Sequence, residues 1–598
     1  MSIRVGNCSG YYGDRFSAMR EMLEGGELDY LTGDYLAELT MLILGRDRMK
    51  DQSLGYAKTF VRQMTDSMAL AKELGVRIVS NAGGLNPAAL AAKLRDIAAE
   101  QGLEISIAHV EGDDLRERAD ELSFGTVLTA NAYLGAFGIA AALDAGADVV
   151  VTGRVTDASV VVGPAISRFG WGRDDLDQLA GAVVAGHVIE CGTQATGGNF
   201  AGFAALDLSA PLGFPIAEIE ADGSVVITKH EGTGGAVTVD TVTAQLVYEV
   251  GSPLYLGPDV STRLDTMTLV QQGPDRVAVS GVVGEAPPAT TKVCLNELGG
   301  FRNSVEFLLT GLDIPEKAAL IQHQMEDALA AGTRPETVEW HLERTDTPDP
   351  VTEAQATSLL RLHVRSAQPD PVGRPFSDAA IQLALASYPG FSVSRPPSAG
   401  TPYGVYRPAY VPQTKVPHRV VTADGTVTEI PPPSITATTP HGTASGADRT
   451  FRDGDSVQDA PLATANAPLG EWAADTVRAP LGRLALARSG DKGGDANIGV
   501  WIPADHPRRD DAYAWLVGFL DEATVRELLR EAATLDIEIH ALANLHAVNI
   551  VVHGLLGEGV ASSTRLDPQA KGVGEWLRAR DCAIPSVLLP DAAREDSL

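Results

Sequence analysis

VRIVSNAGGLNPAALAAKLRDIAAEQGLEISIAHV, residues 76–110, places a glycine turn and an amphipathic segment between two β-branched runs. VRIVSN and EISIAHV are typical of buried strands, and PAALAAKLRDIAAEQ has apolar residues at helical spacing. A helical crossover normally joins two parallel strands, so the stretch predicts a βαβ unit. The fold class depends on whether this unit is repeated.

The same alternation continues on both sides of this stretch. RVGN, LDYLT and DVVVTGR predict further strands, and YLAELTMLILGR and LGAFGIAAALDAG predict further helices. This order indicates an α/β fold, a large and mostly parallel βα domain with both faces of its sheet covered. Ligands of such sheets bind beyond the carboxyl ends of the strands, so polar residues there are candidates for a site.

Three later regions differ in texture. From about residue 215, shorter alternating runs predict a β-rich elaboration of the same domain, which we place at residues 1–430. Residues 431–480 are rich in Pro, Thr, Ala and Gly and predict a linker. Residues 481–598 have the order strand, glycine loop, strand, helix, strands and helix, which predicts a small α+β domain, ferredoxin-like in type.

Composition excludes several classes of function. The 598 residues carry 47 Lys and Arg against 78 Asp and Glu, a net charge of -31, and no basic run offsets it. We therefore expect no nucleic acid and no membrane as a partner. The four cysteines form no CxxC pair, and the N-terminus has no signal-peptide pattern, which together favour a reducing cytoplasm.

The first glycine loop, residues 6–13, follows a strand and precedes a helix, the setting of an anion site made of backbone amides. Its GxxxGxxG spacing differs from the GxGxxG dinucleotide fingerprint. A loop that binds a substrate anion and a plain tight turn therefore both rank ahead of a nucleotide site. The candidate substrate contacts at this loop and after the strand VRIVSN are Asn7, Ser9, Gly10, Asn81 and Gly83.

Two further strand ends carry charged residues. In VVVTGRVTDASV, residues 149–160, Arg154 can bind a carboxylate or phosphate bidentately, and Asp157 can orient it or act as a base. A structural ion pair that closes the turn is an equal alternative. In TKHEGTGGAV, glycines that admit a ligand flank His230 and Glu231; a hairpin turn would explain the glycines but not this pair.

GHVIECGTQATGGNF, residues 186–200, looks at first like a cysteine active site. Cys191 ends an apolar helical face, and Gly192 fits a helix stop, so a buried structural thiol is favoured over a nucleophile. His187 on the same face is most simply a core histidine, whereas Glu190 beside it is an acid/base candidate. The loop that follows predicts substrate contacts by Thr193, Gln194, Thr196 and Asn199.

The small domain carries its own polar glycine loop, RSGDKGGDAN, residues 488–497. It is not a Walker loop, because a strand and not a helix follows it. Its density of polar groups predicts that it meets either a ligand or the large domain, and we name Asp491 and Lys492 as substrate contacts. The three nearby histidines at 540, 546 and 553 should lie on different faces, so we expect no metal site.

Several of these segments together resemble the acyclic terpene utilization AtuA family. The matching stretches are VGNCSGYYGDR, DYLTGDYLAELTM, IVSNAGGLNP, ADVVVTGRVTDAS, GHVIECGTQATGGNF, TKHEGTGGAVTVDTVTAQLVYE, ARSGDKGGDANIGV and NIVVHGLLGEGVASSTRLD. The resemblance spans nearly the whole chain apart from the linker, and the small domain resembles the family's ferredoxin-fold tail. The resemblance implies that the protein works alongside acyl-CoA synthetases, biotin-dependent acyl-CoA carboxylases and enoyl-CoA hydratases in the breakdown of branched acyl chains. It does not specify a reaction.

The resemblance implies a branched or unsaturated acyl substrate, as acyl-CoA or free carboxylate, with CoA as part of the substrate and no other cofactor. Anion loops with carboxylates and a histidine favour proton chemistry next to a carbonyl, hence a hydratase or lyase. Arg154 would hold the anionic group. The catalytic candidates are His230, for which the family suggests an acid/base role, Glu190 and Asp157. We also expect a homo-oligomer.

Two other classes stay open. A non-catalytic partner of a biotin-dependent acyl-CoA carboxylase would dock its small domain on another chain. A nucleotide-dependent oxidoreductase would use the loop at residues 6–13. A metal-assisted hydro-lyase is a variant of the leading hypothesis.

Overall fold

The computed structural model describes residues 2–437 and 475–589. Most of the predicted linker, residues 431–480, lies outside the described residues. The chain divides into two compact units. The first unit comprises the described parts of residues 1–296, 406–560 and 567–598, and the second comprises residues 297–405 and 561–566.

The first part of the chain alternates strands and helices, as the sequence predicts. Its elements are β1 Ile3–Asn7, α1 Ala18–Glu24, β2 Tyr30–Gly33, α2 Glu38–Lys50, α3 Lys58–Leu74, β3 Arg77–Ser80, α4 Pro87–Glu100, β4 Ile107–Glu111, β5 Thr129–Ala132, α5 Phe137–Asp144, β6 Val149–Thr152, α6 Ser159–Phe169 and α7 Leu176–Ile189. Asn86 caps α4 by accepting the Ala89 N–H at 3.3 Å, and Pro87 occupies the first turn. These local signals explain why α4 begins where the strand ends.

Antiparallel strands follow. They are β7 Pro215–Ile219, β8 Val225–Lys229, β9 Leu254–Leu256, β10 Ser261–Arg263, β11 Thr268–Gly273, β12 Arg276–Ser280 and β13 Val283–Glu285, with helix α8 Val239–Leu246 between them. The main sheet has the order β11-β12-β8-β7-β1-β2-β3-β6-β4 and continues through β19 Arg419–Val421 and β20 Val427–Glu429. Its centre, β1-β2-β3-β6-β4, is parallel. The predicted α/β fold class is confirmed.

The strand β5 is absent from the sequence-based prediction and lies outside the main sheet. It pairs antiparallel with the first residues of β14 Thr290–Thr310, where Val293 lies opposite Ala132. The sequence TANA lacks the β-branched alternation that marks an isolated strand. This long-range pairing brings residues near 133 and 292 together.

The second unit is an antiparallel sheet covered on one face by helices. Its elements are the remainder of β14, α9 Ile314–Ala331, β15 Thr337–Glu343, β16 Thr357–Ser366, α10 Arg374–Ile381, β17 Ser392–Val393 and the start of β18 Thr401–Pro412. The core contains Phe307, Leu360, Leu362, Met325 and Phe376. Residues 297–405 lie within the single domain predicted at residues 1–430, and the sequence did not mark them as a separate unit.

The predicted α+β domain near the C-terminus is present. Its elements are β21 Thr476–Pro480, β22 Leu486–Lys492, β23 Asp495–Trp501, α11 Arg509–Phe519, α12 Glu522–Leu528, β24 Ile537–Leu542, β25 Ala547–Val552, α13 Val573–Arg578 and β26 Asp581–Pro585. Four strands form an antiparallel sheet in the order β22-β23-β25-β24. The polar glycine loop is shorter than predicted, because only Gly493 and Gly494 separate β22 from β23.

Among the described residues, no helix combines the length and the apolarity needed to cross a membrane.

Candidate functional site

The carboxyl ends of the central parallel strands bring polar side chains together. Asp34 follows β2 and Asn81 follows β3, and the Asn81 amide donates to the Asp34 carboxylate at 2.6 Å. The Tyr35 N–H donates to the Asn81 side-chain oxygen at 2.8 Å. Burial raises the pKa of Asp34 well above its usual value, and the charge of Asp157 adds to the rise. Predicted residue Asn81 therefore orients a buried carboxyl group.

Arg154, which follows β6, is the central cation of the site. Its guanidinium forms an ion pair with Asp157 and lies 4.2 Å from the centre of the Tyr133 ring, and its side chain is 2% exposed. Its backbone N–H donates to Asp113 at 2.8 Å. Burial opposes its charge, yet Asp157 and other neighbours keep the pKa of Arg154 well above its usual value. The structural ion pair exists, and it stands at a strand end where a ligand would bind.

A second cation reaches the same place through the β5–β14 pairing. Lys292 Nζ lies 3.2 Å from Glu38 Oε1, and the Tyr133 hydroxyl donates to the same oxygen at 2.9 Å. Although burial opposes it, Lys292 and then Arg154 lower the pKa of Glu38 to about 2. Sequence reasoning missed this group, because Lys292 and Glu38 are 254 residues apart and the family-like stretch DYLTGDYLAELTM does not single out Glu38.

Glu190 caps the end of α7, and its carboxyl group faces the cluster. Oε1 lies 3.1 Å from His187 Nδ1, whereas Oε2 and His187 Nε2 are buried without a hydrogen-bond partner among the described residues. Burial raises the pKa of Glu190 well above its usual value, with Asp157 and Glu249 contributing. Burial also lowers the pKa of His187 to about 4. At neutral pH the histidine is therefore uncharged and the acid holds its proton more tightly than usual.

The small domain completes the cluster from the opposite side. Lys492 Nζ donates to the Glu249 carbonyl at 2.6 Å and lies 5.5 Å from the Tyr255 ring centre. Burial, and then the charge of Lys292, lower the pKa of Lys492. Burial raises the pKa of Asp491 to about 8, and Glu249 and Glu38 add to the rise. Sequence-predicted residues 491 and 492 thus join the strand-end residues.

These charged side chains form one cluster at the strand ends, which we call the charged cleft. Lys292 and Glu38 keep 28% and 27% of their side-chain surface, and Asp157 keeps 27%, although protein groups surround them closely enough to shift their neighbours' pKa values. These three side chains are therefore the part of the cluster that water reaches. The charged cleft is defined by Asp34, Glu38, Tyr133, Arg154, Asp157, His187, Glu190, Glu249, Lys292, Asp491 and Lys492.

In the first glycine loop, residues 6–13, backbone N–H groups bond to side chains close by in the chain. The Ser9 N–H donates to Asn7 Oδ1 at 2.7 Å, and the Gly10 N–H donates to Asp14 at 2.8 Å. The Asn7 amide donates to the Glu190 carbonyl at 3.2 Å. The Asp14 carboxylate thus already accepts the Gly10 N–H, one of the donors that a bound substrate anion would need. Gly83 is a close-packing position, since a Cβ there would overlap the Thr152 carbonyl.

The loop after α7 contacts the small domain. Arg488 donates to the Gln194 side chain and, at 3.0 Å, to the Asn199 carbonyl, and its guanidinium lies 4.2 Å from the Tyr248 ring centre. The Thr196 hydroxyl donates to the Gly213 carbonyl at 2.7 Å, and Thr193 lies in the same 3-10 helical turn, Gly192–Thr196. Of the two sequence alternatives for residues 488–497, contact with the large domain is present. The substrate role of these residues stays a prediction.

The His230 loop lies apart from these contacts. His230 Nε2 lies 3.1 Å from the Met22 carbonyl, and its ring packs against Gly25 and Gly26 at the end of α1. Burial lowers the pKa of His230. Glu231 is exposed. The proposed acid/base role of His230 stays a prediction, and its contacts differ from those of Glu190.

The Cys191 thiol and the three histidines of the small domain lie among protein groups. Burial raises the pKa of the Cys191 thiol well above its usual value, which suits a structural thiol. No group of three or more His, Cys, Asp or Glu side chains in the described ranges is arranged to hold a metal ion. His540 and His553 share Glu538, at 3.3 and 3.0 Å, so these two histidines meet on one face and the prediction of different faces is wrong for them. His546 contacts Asp510.

Together, fold and site define an α/β protein whose parallel strands end at a charged cleft that a small α+β domain helps to form. The family model for acyclic terpene utilisation family protein AtuA matches residues 3–422, and the model for the AtuA ferredoxin-like domain matches residues 479–582. The chain belongs to the AtuA family, as its motifs predict. Neither the curated proteins nor the solved structures compared with the chain include a match.

Proposed function

We propose that the chain is a hydratase or lyase that acts on a branched or unsaturated acyl-CoA or carboxylate by proton transfer next to the carbonyl. Membership of the acyclic terpene utilisation family supports the class of acyl chain. The reducing environment inferred from the cysteines, together with acyl-CoA as substrate, favours the cytoplasm.

The observation that carries the proposal is the carboxyl group of Glu190. A raised pKa and a buried oxygen without a partner among the described residues are typical of a group that exchanges a proton with a ligand. His187, kept neutral by burial, orients this carboxyl group from 3.1 Å. A buried oxygen without a protein partner calls for an explanation, and proton exchange with a ligand supplies one.

The cations of the charged cleft suit the other half of the reaction. Removing a proton next to a carbonyl places negative charge on the carbonyl oxygen, and fixed cations stabilise that charge most in an enclosed site. Lys292 and Arg154 are held in place by Glu38, Asp157 and the Tyr133 ring. Lys492, whose pKa burial lowers, is a second group able to accept a proton.

The contacts of two segments bear on the other hypotheses. Arg488 and Lys492 on β22 of the small domain, the domain that would dock on a carboxylase, already bond to the same chain. The amide of Gly10 in the predicted nucleotide loop already bonds to Asp14. Both observations favour the acyl-substrate enzyme.

Proton exchange in deuterated water tests the proposal without knowledge of the product. Saturated, enoyl and hydroxyacyl thioesters and their free acids are incubated with the full-length protein, and deuterium uptake beside the carbonyl and addition or loss of water are followed by mass spectrometry. We expect Glu190→Gln to slow exchange by about a hundredfold or more. The matched control is Glu73→Gln, an exposed carboxylate on α3. Equal exchange by both variants, or none by the wild type across the panel, contradicts the proposal.

A further inference from the structure

A cavity of about 270 Å³ lies within the second unit, and we call it the arginine cavity. Its lining includes four arginines, Arg302, Arg361, Arg365 and Arg565, together with His363. All lie on β14, β16 or the segment 561–566, and no described lining residue is a carboxylate. The chain as a whole has a net charge of -31, whereas the charged side chains on this lining are all positive.

The strand register explains how the arginines come together. Along β14 and β16 the alternating residues Val305, Phe307, Leu360 and Leu362 are buried in the core beneath the helices. The intervening residues point to the opposite face. There Arg302 lies directly opposite Arg365, and Ser304 lies opposite His363.

This pairing costs stability, because like charges placed directly opposite each other on neighbouring strands repel. Burial, and then Arg365, lower the pKa of Arg302. Arg302 donates to the Ala561 carbonyl at 2.8 Å, and Arg365 donates to the Ser562 carbonyl at 2.7 Å. Both guanidinium groups also lie near the Tyr403 ring, at 5.9 and 5.3 Å from its centre. These neutral partners hold the arginines in place without cancelling their charge.

Arg361, in the same cavity, has its positive charge balanced by a carboxylate. It forms an ion pair with Glu343, with its Nε 3.1 Å from both carboxylate oxygens. In contrast, Arg365 Nε and His363 Nε2 are buried without a hydrogen-bond partner among the described residues. Arg365 Nε is thus an unused donor on a lining whose described residues include no carboxylate, and such a donor is suited to an anion.

We propose that the arginine cavity binds a diphosphate group. Two facing arginines match the two phosphates of such a group, and the hydroxyls of Ser304 and Thr401 supply neutral donors on the same lining. The volume is close to the lower limit of ligand pockets, roughly 300 Å³, so the cavity fits a small anionic group better than a whole cofactor. This inference does not rest on the proposed function.

Isothermal titration of the full-length protein with sodium pyrophosphate tests the site. We expect one pyrophosphate to bind per chain, and Arg365→Gln to weaken binding about tenfold or more. Ser304→Glu, which changes an exposed residue and places a negative charge opposite His363, should abolish binding. Arg374→Gln, at a 90% exposed arginine on α10, is the matched control and should bind as the wild type does.

Circular dichroism first establishes that each variant is folded. If Arg365→Gln is not folded, Ser304→Glu serves as the test. The same titration with ADP and with coenzyme A separates two sources of the diphosphate. Tighter binding of either one, lost in Ser304→Glu, supports the site and identifies the source. Absence of pyrophosphate binding by the wild type, or equal binding by Ser304→Glu and the wild type, overturns the proposal.

Discussion

In the charged cleft two cations each have a carboxylate beside them: Arg154 forms an ion pair with Asp157, and Lys292 forms one with Glu38. In the arginine cavity, Arg302 and Arg365 face each other and are held by neutral carbonyl groups. The first arrangement balances its charges internally and therefore stabilises the fold. The second leaves positive charge uncompensated, which stabilises little until an anion binds.

The strongest test of this comparison replaces one arginine in each region. Arg154→Ala should lower the free energy of unfolding by about 3–5 kcal/mol, because it leaves buried carboxylates without their cation. Arg365→Gln should change it by less than about 1 kcal/mol, because lost contacts and lost repulsion oppose each other. Denaturant titration followed by circular dichroism measures both. Similar losses in the two variants would contradict the distinction.

The pH dependence of the free energy of unfolding tests the protonation of Asp113, which accepts the Arg154 backbone N–H. Burial raises the pKa of Asp113 from 3.8 to about 7, so the folded chain keeps a proton that the unfolded chain releases. Its contribution to stability is thus fully present below about pH 4 and is lost as the pH rises through about 7, a loss of about 4 kcal/mol. Asp113→Asn should remove this dependence, so the variant gains on the wild type between these pH values.

The difference between Asp113→Asn and the wild type is measured by denaturation at each pH, which cancels the titration of all other groups. Asp96→Asn, at an exposed position on α4, is the matched control. A difference that stays constant with pH would show that Asp113 does not titrate in this range.

Arg488 offers an intermediate case, a buried cation held by neutral groups of the same chain. It bonds to Gln194 and the Asn199 carbonyl and stacks on Tyr248. Arg488→Ala should cost about 2 kcal/mol and speed hydrogen exchange in residues 239–251, since the small domain then holds that segment less firmly. Arg530→Ala, at an exposed position in the same domain, should leave exchange there unchanged. Unchanged hydrogen exchange of residues 239–251 in Arg488→Ala would show that Arg488 does not hold this segment.

The smallest effect is expected at His230. Its contacts with the Met22 carbonyl and with Gly25 and Gly26 predict that His230→Ala costs about 1 kcal/mol and leaves proton exchange within about twofold of the wild type. The deuterium assay described above measures this directly. A hundredfold loss would restore His230 as the acid/base group and displace Glu190.

Local sequence signals predicted much of the frame and part of the site. The βα repeat and the capped helix α4 follow from periodicity and end signals. Helix α7 ends at Ile189, before the predicted stop at Gly192, although Gly192 does adopt the left-handed conformation, φ 59°. Arg154, Asn81 and Glu190 were identifiable because strand and helix ends meet at one edge of a parallel sheet. Glu38, Tyr133 and Lys292 were not identifiable, since only the β5–β14 pairing brings them together.

By itself, the sequence determined the α/β class, the small C-terminal domain and the family, because the periods of strands and helices and the family motifs are properties of neighbouring residues. Tertiary structure alone decided which charges share a cleft, and it also decided that Arg302 faces Arg365. The physical reason is that both depend on the register between strands distant in the chain. That register decides whether a buried charge meets an opposite charge or a like one.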